Sequence, residues 1–302
     1  MSSTVMMMGS TASGKTSFMV AAYHLFSDRG LNGISVKSTN NHDFFVREWP
    51  NLQQGIYNNT AGNVKYLNYD FNLYHKGKFL FDFTWYDYRG GALTDGGDRE
   101  HKEVVTKIVE SQGLLIFVDG ELLNNVDTSK LDNFLEKVNE VLHKLDRKLS
   151  NLTRPDMNCA FVVTKCDLIK RNMLLYHLSD GNSSFARLKS GKYIDGSSMS
   201  RIAMDVLQVS AKDGQCHNID KAFARFLAQL CDYEYHRCDL DKKRNLQLAN
   251  EASRRRGIFD GLFPFFFDGP AERSQAYKSK AEQAAQKGNK IVAAKGDLER
   301  IL

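Results

Sequence analysis

Short apolar runs alternate with segments of helical periodicity from residue 4 to about residue 232. The apolar runs predict strands that are buried on both faces, and each ends in a polar or glycine-rich turn. The four runs are Met6–Met8, Leu114–Val118, Ala160–Val163 and Val206–Val209. Helical spacing occupies residues 18–26, 104–109, 131–149 and 222–230.

Two further stretches in the middle of the chain predict a β-hairpin. Tyr69, Phe71 and Leu73 share one face of the first, and aromatic residues recur at alternate positions from Phe79 to Trp85 in the second. Strands that alternate with helices predict a mostly parallel sheet covered on both faces, to which the hairpin adds one antiparallel edge strand. The expected fold class is therefore α/β.

Two segments of this body lack a clean period. Residues 37–63 are polar and contain Trp49-Pro50, and a loop of this length inside a compact domain is usually functional or mobile. Residues 171–200 are rich in Ser and Gly and predict an ill-defined insertion. Because the last core helix is predicted to end near residue 230, we expect one domain over residues 1–236.

Composition changes this outline mainly at the C-terminus. With 42% hydrophobic residues the chain can bury a core, and none of its apolar runs reaches the length of a membrane span. The net charge of +5 comes largely from residues 252–302, which carry ten Lys and Arg against six Asp and Glu. Residues 237–302 are therefore expected to form a basic, Phe-rich helical extension, interrupted around Gly288 and Gly296.

The most specific pattern is Gly-x-x-x-x-Gly-Lys-Thr at residues 9–16, between the first predicted strand and helix, which is the context of a P-loop. Gly9 and Gly14 allow backbone conformations and a close approach to phosphate that a Cβ would prevent. Lys15 offers positive charge to the β- and γ-phosphates, and Thr16 a hydroxyl to Mg²⁺. The predicted phosphate-binding residues are Gly9, Ser10, Thr11, Ala12, Ser13, Gly14, Lys15, Thr16 and Ser17.

Unusual polar motifs also end three of the other predicted strands. They are Asp87-Tyr88-Arg89-Gly90, Thr164-Lys165-Cys166-Asp167 and Ser210-Ala211-Lys212. Ligands of such α/β sheets bind at the carboxyl ends of the strands, so we expect these turns and the P-loop to surround one ligand.

The four motifs, in this order and at these spacings, resemble those of the P-loop GTPases over about residues 4–232. The long polar loop with Trp49-Pro50 and Thr60 before the hairpin is most similar to bacterial double-GTPase-type members of the translation-factor-like (TRAFAC) branch. The resemblance implies a small-GTPase-like P-loop NTPase fold, with GTP or GDP as ligand and Mg²⁺ as cofactor.

The resemblance also implies roles for single residues around the γ-phosphate. Asp87 would hold Mg²⁺ through water, and the amide of Gly90 would contact the γ-phosphate. The family needs a switch threonine that binds Mg²⁺ only when the γ-phosphate is present. Thr60 is the first choice because it precedes the hairpin, and Thr39 is the alternative, unless neither serves. The implied metal ligands are thus Thr16, Thr60 and Asp87.

At the base, Thr164, Lys165 and Asp167 would replace the Asn/Thr-Lys-x-Asp of the family. The Asp167 carboxylate would accept hydrogen bonds from the N1–H and amine of guanine, which adenine cannot offer. The Lys165 stem would lie over the purine plane. Residues 210–212 would form the last guanine-contacting loop, in which the Ala211 amide meets the base oxygen.

One position departs from the family pattern. Gly91 stands where many relatives place a water-orienting Gln, and glycine has no side chain to orient a water. We therefore expect slow hydrolysis, unless a partner or a residue in cis such as Arg89 or His101 assists. The leading hypothesis is a GTP-dependent switch read by a protein effector or activator. The alternatives are a nucleotide-binding scaffold with little hydrolysis, and an ATPase or small-molecule kinase.

The C-terminal extension suggests further partners. Residues 254–267 join a basic triplet to a Phe-rich stretch, which fits packing, partner binding or peripheral membrane contact. Packing or partner binding is the favoured interpretation, and nucleic acid the least favoured. Five cysteines without C-x-x-C spacing, and no Lys or Arg ahead of the first apolar run, predict a cytoplasmic protein. The sequence does not indicate the oligomeric state.

Overall fold

The computed structural model describes residues 3–27, 30–57, 66–88, 98–124, 127–150, 157–181, 183–259 and 269–302. The chain divides into two compact units, Met1–Leu230 with Asp297–Leu302, and Cys231–Gly296. The strands are β1 (Ser3–Gly9), β2 (Ile34–Ser38), β3 (Tyr66–His75), β4 (Lys78–Tyr88), β5 (Gly113–Asp119), β6 (Met157–Thr164) and β7 (Ile202–Gln208). The α-helices are α1 (Lys15–Ser27), α2 (His42–Gln53), α3 (Asp98–Glu110), α4 (Ser129–Ser150), α5 (Arg171–Ser179), α6 (Ser184–Lys189), α7 (Ile219–Phe259) and α8 (Gly269–Glu299).

The first unit is built on a seven-stranded sheet in the order β2-β3-β4-β1-β5-β6-β7. β3 runs antiparallel to both of its neighbours, and the remaining neighbours pair in parallel. This confirms the predicted α/β class with its mostly parallel sheet and hairpin, and the C-terminal residues are helical as predicted. β2 pairs outside β3, so the antiparallel strand lies next to the edge of the sheet. The carboxyl ends of β4, β1, β5, β6 and β7 meet at one edge.

An aromatic cluster covers one face of the sheet. Trp85 of β4 stacks on Phe223 of α7 with ring centroids 5.5 Å apart, and Phe18 of α1 meets Trp85 edge to face at 6.2 Å. Phe26 packs on Phe223 at 5.0 Å in the same way. Edge-to-face and offset-stacked rings add to the stabilisation from burial. The cluster fixes the start of α1, and thus the loop before it, relative to β4.

Aliphatic side chains cover the opposite face. Leu135, Val138 and Leu142 of α4 share a buried cluster with Ile116 of β5 and Phe161 of β6. Each such side chain contributes about 2 kcal/mol when it is fully removed from water. The periodicity of residues 131–149 therefore identified the buried face of this helix correctly.

The prediction of a long loop over residues 37–63 was wrong for most of its length. Its first part completes β2, and residues 42–53 form α2, which packs on α1. Tyr23 stacks on Phe45 with centroids 4.4 Å apart, and His24 stacks on Trp49 at 3.9 Å. Phe45, Trp49 and Leu52 do recur at helical spacing, but Pro50 within the helix and the polar residues around it favoured a loop in the sequence. Residues 58–63 lie outside the described part of the chain.

The predicted ill-defined insertion is also more regular than expected, because one buried carboxylate organises it. Residues 171–189 contain α5 and α6, and the segment that follows is held by Asp146 of α4. The Asp146 carboxylate accepts hydrogen bonds from the Tyr193 hydroxyl at 2.8 Å and from the N–H groups of Ser200 and Arg201 at 3.0 and 2.7 Å. Burial opposes ionisation of Asp146, but these hydrogen bonds outweigh it and lower its pKa.

The described residues of the second unit are all helical, and its two helices run antiparallel. Ser274 of α8 donates to the Ala249 carbonyl at 3.1 Å, and Lys295 pairs with Asp232 at 2.7 Å. The predicted interruptions at Gly288 and Gly296 are both absent, because α8 continues through them. A Cβ at Gly288 would lie 3.4 Å from the Tyr235 ring, so this glycine serves close helix packing.

Of the extension, residues 260–268 and the side chains of residues 255–259 lie outside what the structure describes, so the Phe-rich stretch is untested. None of the described helices is long and apolar enough to cross a membrane. The predicted domain boundary at residue 236 stays a prediction.

Replacing Asp146 with Ala should lower the free energy of unfolding at neutral pH by about 2–4 kcal/mol, because the buried Tyr193 hydroxyl and the part-buried N–H groups of Ser200 and Arg201 lose their acceptor. The pKa of Asp146 is lower in the folded protein than in the unfolded chain, so this stabilisation exists above about pH 4 and is lost on acidification. The difference in free energy of unfolding between wild type and variant should therefore decrease as the pH falls below about 4.

Chemical denaturation at neutral and acidic pH measures this difference. Glu136→Ala, at an exposed position of the same helix, is the matched control and should change the stability little at either pH. An Asp146→Ala loss of equal size at both pH values would contradict the assigned role of the ionised carboxylate.

Candidate functional site

The P-loop between β1 and α1 adopts a conformation that depends on its glycines. Ala12 and Gly14 have positive φ angles of 61° and 76°. The Ser13 N–H donates to the Ser10 carbonyl at 3.3 Å and closes the turn. A Cβ at Gly9 would lie 2.7 Å from Ser13 Oγ and 2.8 Å from the Phe117 carbonyl oxygen, so no larger residue fits there.

Lys15 folds back over this loop. Its Nζ donates to the carbonyl oxygens of Gly9 and Ser10 at 3.2 and 2.9 Å, and to Ser13 Oγ at 3.3 Å. The side chain is buried, and burial lowers the pKa of Lys15 although the negative charge of Asp87 opposes the shift. A phosphate bound in the loop would supply the negative charge that stabilises this buried ammonium group.

Thr16 and Asp87 bring the second motif to the P-loop. Asp87 is the carboxylate near the end of β4, and it pairs in register with Met7 of β1. The Thr16 hydroxyl donates to Asp87 Oδ2 at 3.1 Å. Burial raises the pKa of Asp87, against the opposing effects of the Lys15 charge and the Thr16 hydrogen bond. A divalent cation at this carboxylate would offset the cost of its desolvation.

The chemistry of these two donors fits Mg²⁺. Thr16 and Asp87 offer hard oxygen atoms, and the described residues contain no cluster of three or more His, Cys, Asp or Glu side chains that could hold a metal alone. Magnesium commonly takes one or two protein oxygens and completes its shell with phosphate oxygens and water. The residues therefore suit a magnesium ion that arrives together with a nucleotide.

Thr164 connects the P-loop to the third motif. Its buried hydroxyl donates to the Ser13 carbonyl at 2.9 Å and lies 3.3 Å from the Val118 carbonyl. A Cβ at Gly14 would lie 3.2 Å from the Thr164 side chain, so the two turns are in direct contact. Asp167 follows three residues later, in the turn after β6.

The fourth motif meets Asp167 directly. Ser210 Oγ donates to Asp167 Oδ1 at 2.5 Å, and Lys212 Nζ lies 4.0 Å from Asp167 Oδ2. The Lys212 N–H donates to Ser210 Oγ at 3.3 Å, which closes the loop that contains Ala211. The Asp167 side chain remains 29% exposed, so its carboxylate is accessible to a ligand.

Two acidic residues that the sequence analysis missed hold Lys165. This lysine has a positive φ of 50°, and its Nζ lies 2.8 Å from Asp119 Oδ2 and 3.4 Å from Glu121 Oε2. Burial would lower the pKa of Lys165, but hydrogen bonding and charge from Asp119 outweigh it and raise the pKa. The sequence contained one signal for this contact, since Asp119 is a carboxylate at the end of a strand that was predicted to be buried.

The structure does not test the γ-phosphate switch residues. Thr60 and Gly90 lie outside the described residues, as do Arg89, Gly91 and the side chain of His101. Thr39 follows β2, two strands away from Asp87. Its N–H and hydroxyl both donate to the Asp70 carbonyl, at 2.9 and 3.3 Å. Thr60 stays the predicted switch threonine and Thr39 the alternative.

Comparisons with known proteins place these observations beside solved structures. No protein-family model matches the chain, and no curated protein does. The chain is similar to the small GTPase Arl6 (BBS3) of Trypanosoma brucei with bound GppNp, at 14% identity and a TM-score of 0.39, over 75% of this chain and 95% of that one. It is also similar to the signal recognition particle receptor SRb with GTP and SRX from Chaetomium thermophilum, at 13% identity and a TM-score of 0.42, over 70% and 91% of the two chains.

A third similar structure is a variant of SsGBP, at 12% identity and a TM-score of 0.36. The similar region covers 74% of this chain but only 57% of the SsGBP chain. Similarity at this level assigns no function, which must be argued from the residues of the site.

Gly14→Ala and Gly77→Ala form a matched pair that separates backbone strain from ligand binding. Both glycines have nearly the same positive φ, 76° and 74°, but only Gly14 lies in the P-loop, and a Cβ at Gly77 would meet nothing within 4 Å. The positive φ should cost each variant about 1–2 kcal/mol in free energy of unfolding, and the 3.2 Å contact between the new Cβ and Thr164 should add to the loss in Gly14→Ala. Only Gly14→Ala should also weaken nucleotide binding, by about tenfold or more.

Denaturation and titration with a fluorescent GTP analogue check both parts. Equal nucleotide affinity of the two variants would show that the loop does not bind the phosphates.

Proposed function

We propose that the protein binds Mg²⁺–GTP, hydrolyses it slowly to GDP and acts as a nucleotide-dependent switch for a protein partner. The observation that carries this proposal is the hydrogen bond from Thr164 to the Ser13 carbonyl. It joins a phosphate-binding loop to a turn whose carboxylate, Asp167, suits guanine. A single nucleotide would fill both parts of such a site.

On the phosphate side, the chain offers positive charge and a metal site. Lys15 would move part of its hydrogen bonding from the loop carbonyls to the phosphate oxygens, and the positive end of α1 would favour the same anion. Thr16 and Asp87 would hold Mg²⁺, which neutralises the charge that develops during phosphoryl transfer.

On the base side, the Asp167 carboxylate would select guanine over adenine. A carboxylate has about four acceptor sites, so the hydrogen bond from Ser210 leaves Asp167 able to accept from the N1–H and the amine of guanine. Adenine has no N1–H, so its base would leave the remaining acceptor sites of the carboxylate without a donor. The salt bridge to Asp119 would hold the aliphatic stem of Lys165 in place over the purine.

The partner that we propose is a protein effector or activator. Three exposed hydrophobic side chains, Val46, Ile56 and Tyr57, precede the predicted switch residue Thr60, at 56%, 48% and 54% exposure. Apolar side chains at the surface favour contact with another protein. An activator would also supply the water-orienting group that Gly91 cannot, which would explain slow hydrolysis by the isolated protein. Membrane contact through residues 254–267 and a cytoplasmic location remain part of the proposal.

The affinities of the wild type and of Asp167→Asn for GTP, XTP and ATP test this function. The wild type should prefer GTP, and the variant should lose about a hundredfold in GTP affinity, because asparagine can accept only one of the two hydrogen bonds and its NH2 group then faces the other donor of guanine. The variant should gain affinity for XTP, since the asparagine amide can donate to the second oxygen of xanthine.

Asp195→Asn removes an exposed carboxylate from the insertion and should leave all three affinities unchanged. Equal affinity of the wild type for ATP and GTP would falsify the proposed function.

A further inference from the structure

Tyr69 of β3 carries a buried hydroxyl that the site described so far does not use. Its side chain is 2% exposed, and its oxygen has no hydrogen-bond partner among the described residues. A buried hydroxyl without a partner lowers stability, and phenylalanine would fill the same space without this cost. An acceptor that is supplied by a ligand would explain the hydroxyl.

The strand register places Tyr69 beside the metal-binding carboxylate. Tyr69 pairs with Trp85, and Leu67 pairs with Asp87. Because alternate residues of a strand share a face, Tyr69 and Asp87 are diagonal neighbours on one face of the sheet. Diagonal neighbours are within reach of aromatic side chains.

Helix α2 fixes the Tyr69 ring. Phe44 and Phe45 pack against it with ring centroids 5.6 and 5.4 Å away. A tyrosine hydroxyl is protonated at neutral pH, so it can donate a hydrogen bond to an acceptor that a ligand supplies.

The order of the strands indicates which part of a nucleotide lies at this position. The guanine motifs follow β6 and β7, and the P-loop follows β1 near the centre of the sheet. β4 and β3 lie on the other side of β1. If the base of a nucleotide lies at Asp167 and its phosphates at the P-loop, its terminal phosphate would thus lie toward Asp87 and Tyr69.

We infer that Tyr69 is a positioning residue, whose hydroxyl donates a hydrogen bond to an oxygen of the γ-phosphate of bound GTP. The inference rests on the proposed function and adds a residue to it. It also gives α2 a structural role at the site, because this helix holds the Tyr69 ring in place. Since GDP lacks the γ-phosphate, the hydroxyl would distinguish the two nucleotides.

Tyr69→Phe removes only the oxygen, so it tests this inference with little disturbance. In the presence of Mg²⁺, the variant should bind a non-hydrolysable GTP analogue about tenfold more weakly than the wild type, as expected for a lost hydrogen bond to a charged group. Its affinity for GDP should not change. Without nucleotide, its melting temperature should equal or exceed that of the wild type, because no internal hydrogen bond is lost.

Tyr74→Phe is the matched control, since it removes a hydroxyl from the same strand near the hairpin turn and should leave both affinities unchanged. The inference would be overturned if Tyr69→Phe changed both affinities equally or neither. A lower melting temperature would also overturn it, because the hydroxyl would then have a partner within the protein. Failure of the wild type itself to bind GTP and GDP would instead refute the proposed function, and this inference with it.

Discussion

The hydrogen bond from the Thr164 hydroxyl to the Ser13 carbonyl is the contact on which the rest of the site depends. It joins two turns that lie far apart in sequence and follow β1 and β6, which β5 separates in the sheet. Because parallel strands end at the same edge of the sheet, the turns that follow them lie close enough to contact one ligand. The Thr16–Asp87 and Ser210–Asp167 hydrogen bonds attach the other two turns in the same way.

Much of this arrangement could be predicted because it depends on local patterns. The strand alternation around Phe71 and the apolar run Leu114–Val118 each follow from burial on a sheet, and Gly9 and Gly14 follow from steric limits near the backbone. The order of the motifs along the chain then indicated that Asp167 and Ser210 would meet. These features require no knowledge of distant contacts.

The remainder depends on contacts that no local pattern shows. Helix α2 is stabilised by a few aromatic contacts such as His24–Trp49, and Pro50 within it argues against a helix when only the sequence is considered. The insertion is ordered by Asp146, which looks like any surface carboxylate of α4 in the sequence. Tyr69 looked like an ordinary core residue of the hairpin, and only the register beside Asp87 distinguishes it. Such roles arise from the three-dimensional neighbourhood and not from residue spacing.

The most direct test of the proposed nucleotide site is an experimental structure of the protein with Mg²⁺ and a non-hydrolysable GTP analogue. We expect the phosphates to lie in the loop at Lys15 and the metal between Thr16 and Asp87. The guanine N1–H and amine should donate to the Asp167 carboxylate. A base bound elsewhere, with Asp167 still directed only to Ser210, would contradict the claim that the four turns form one guanine-nucleotide site.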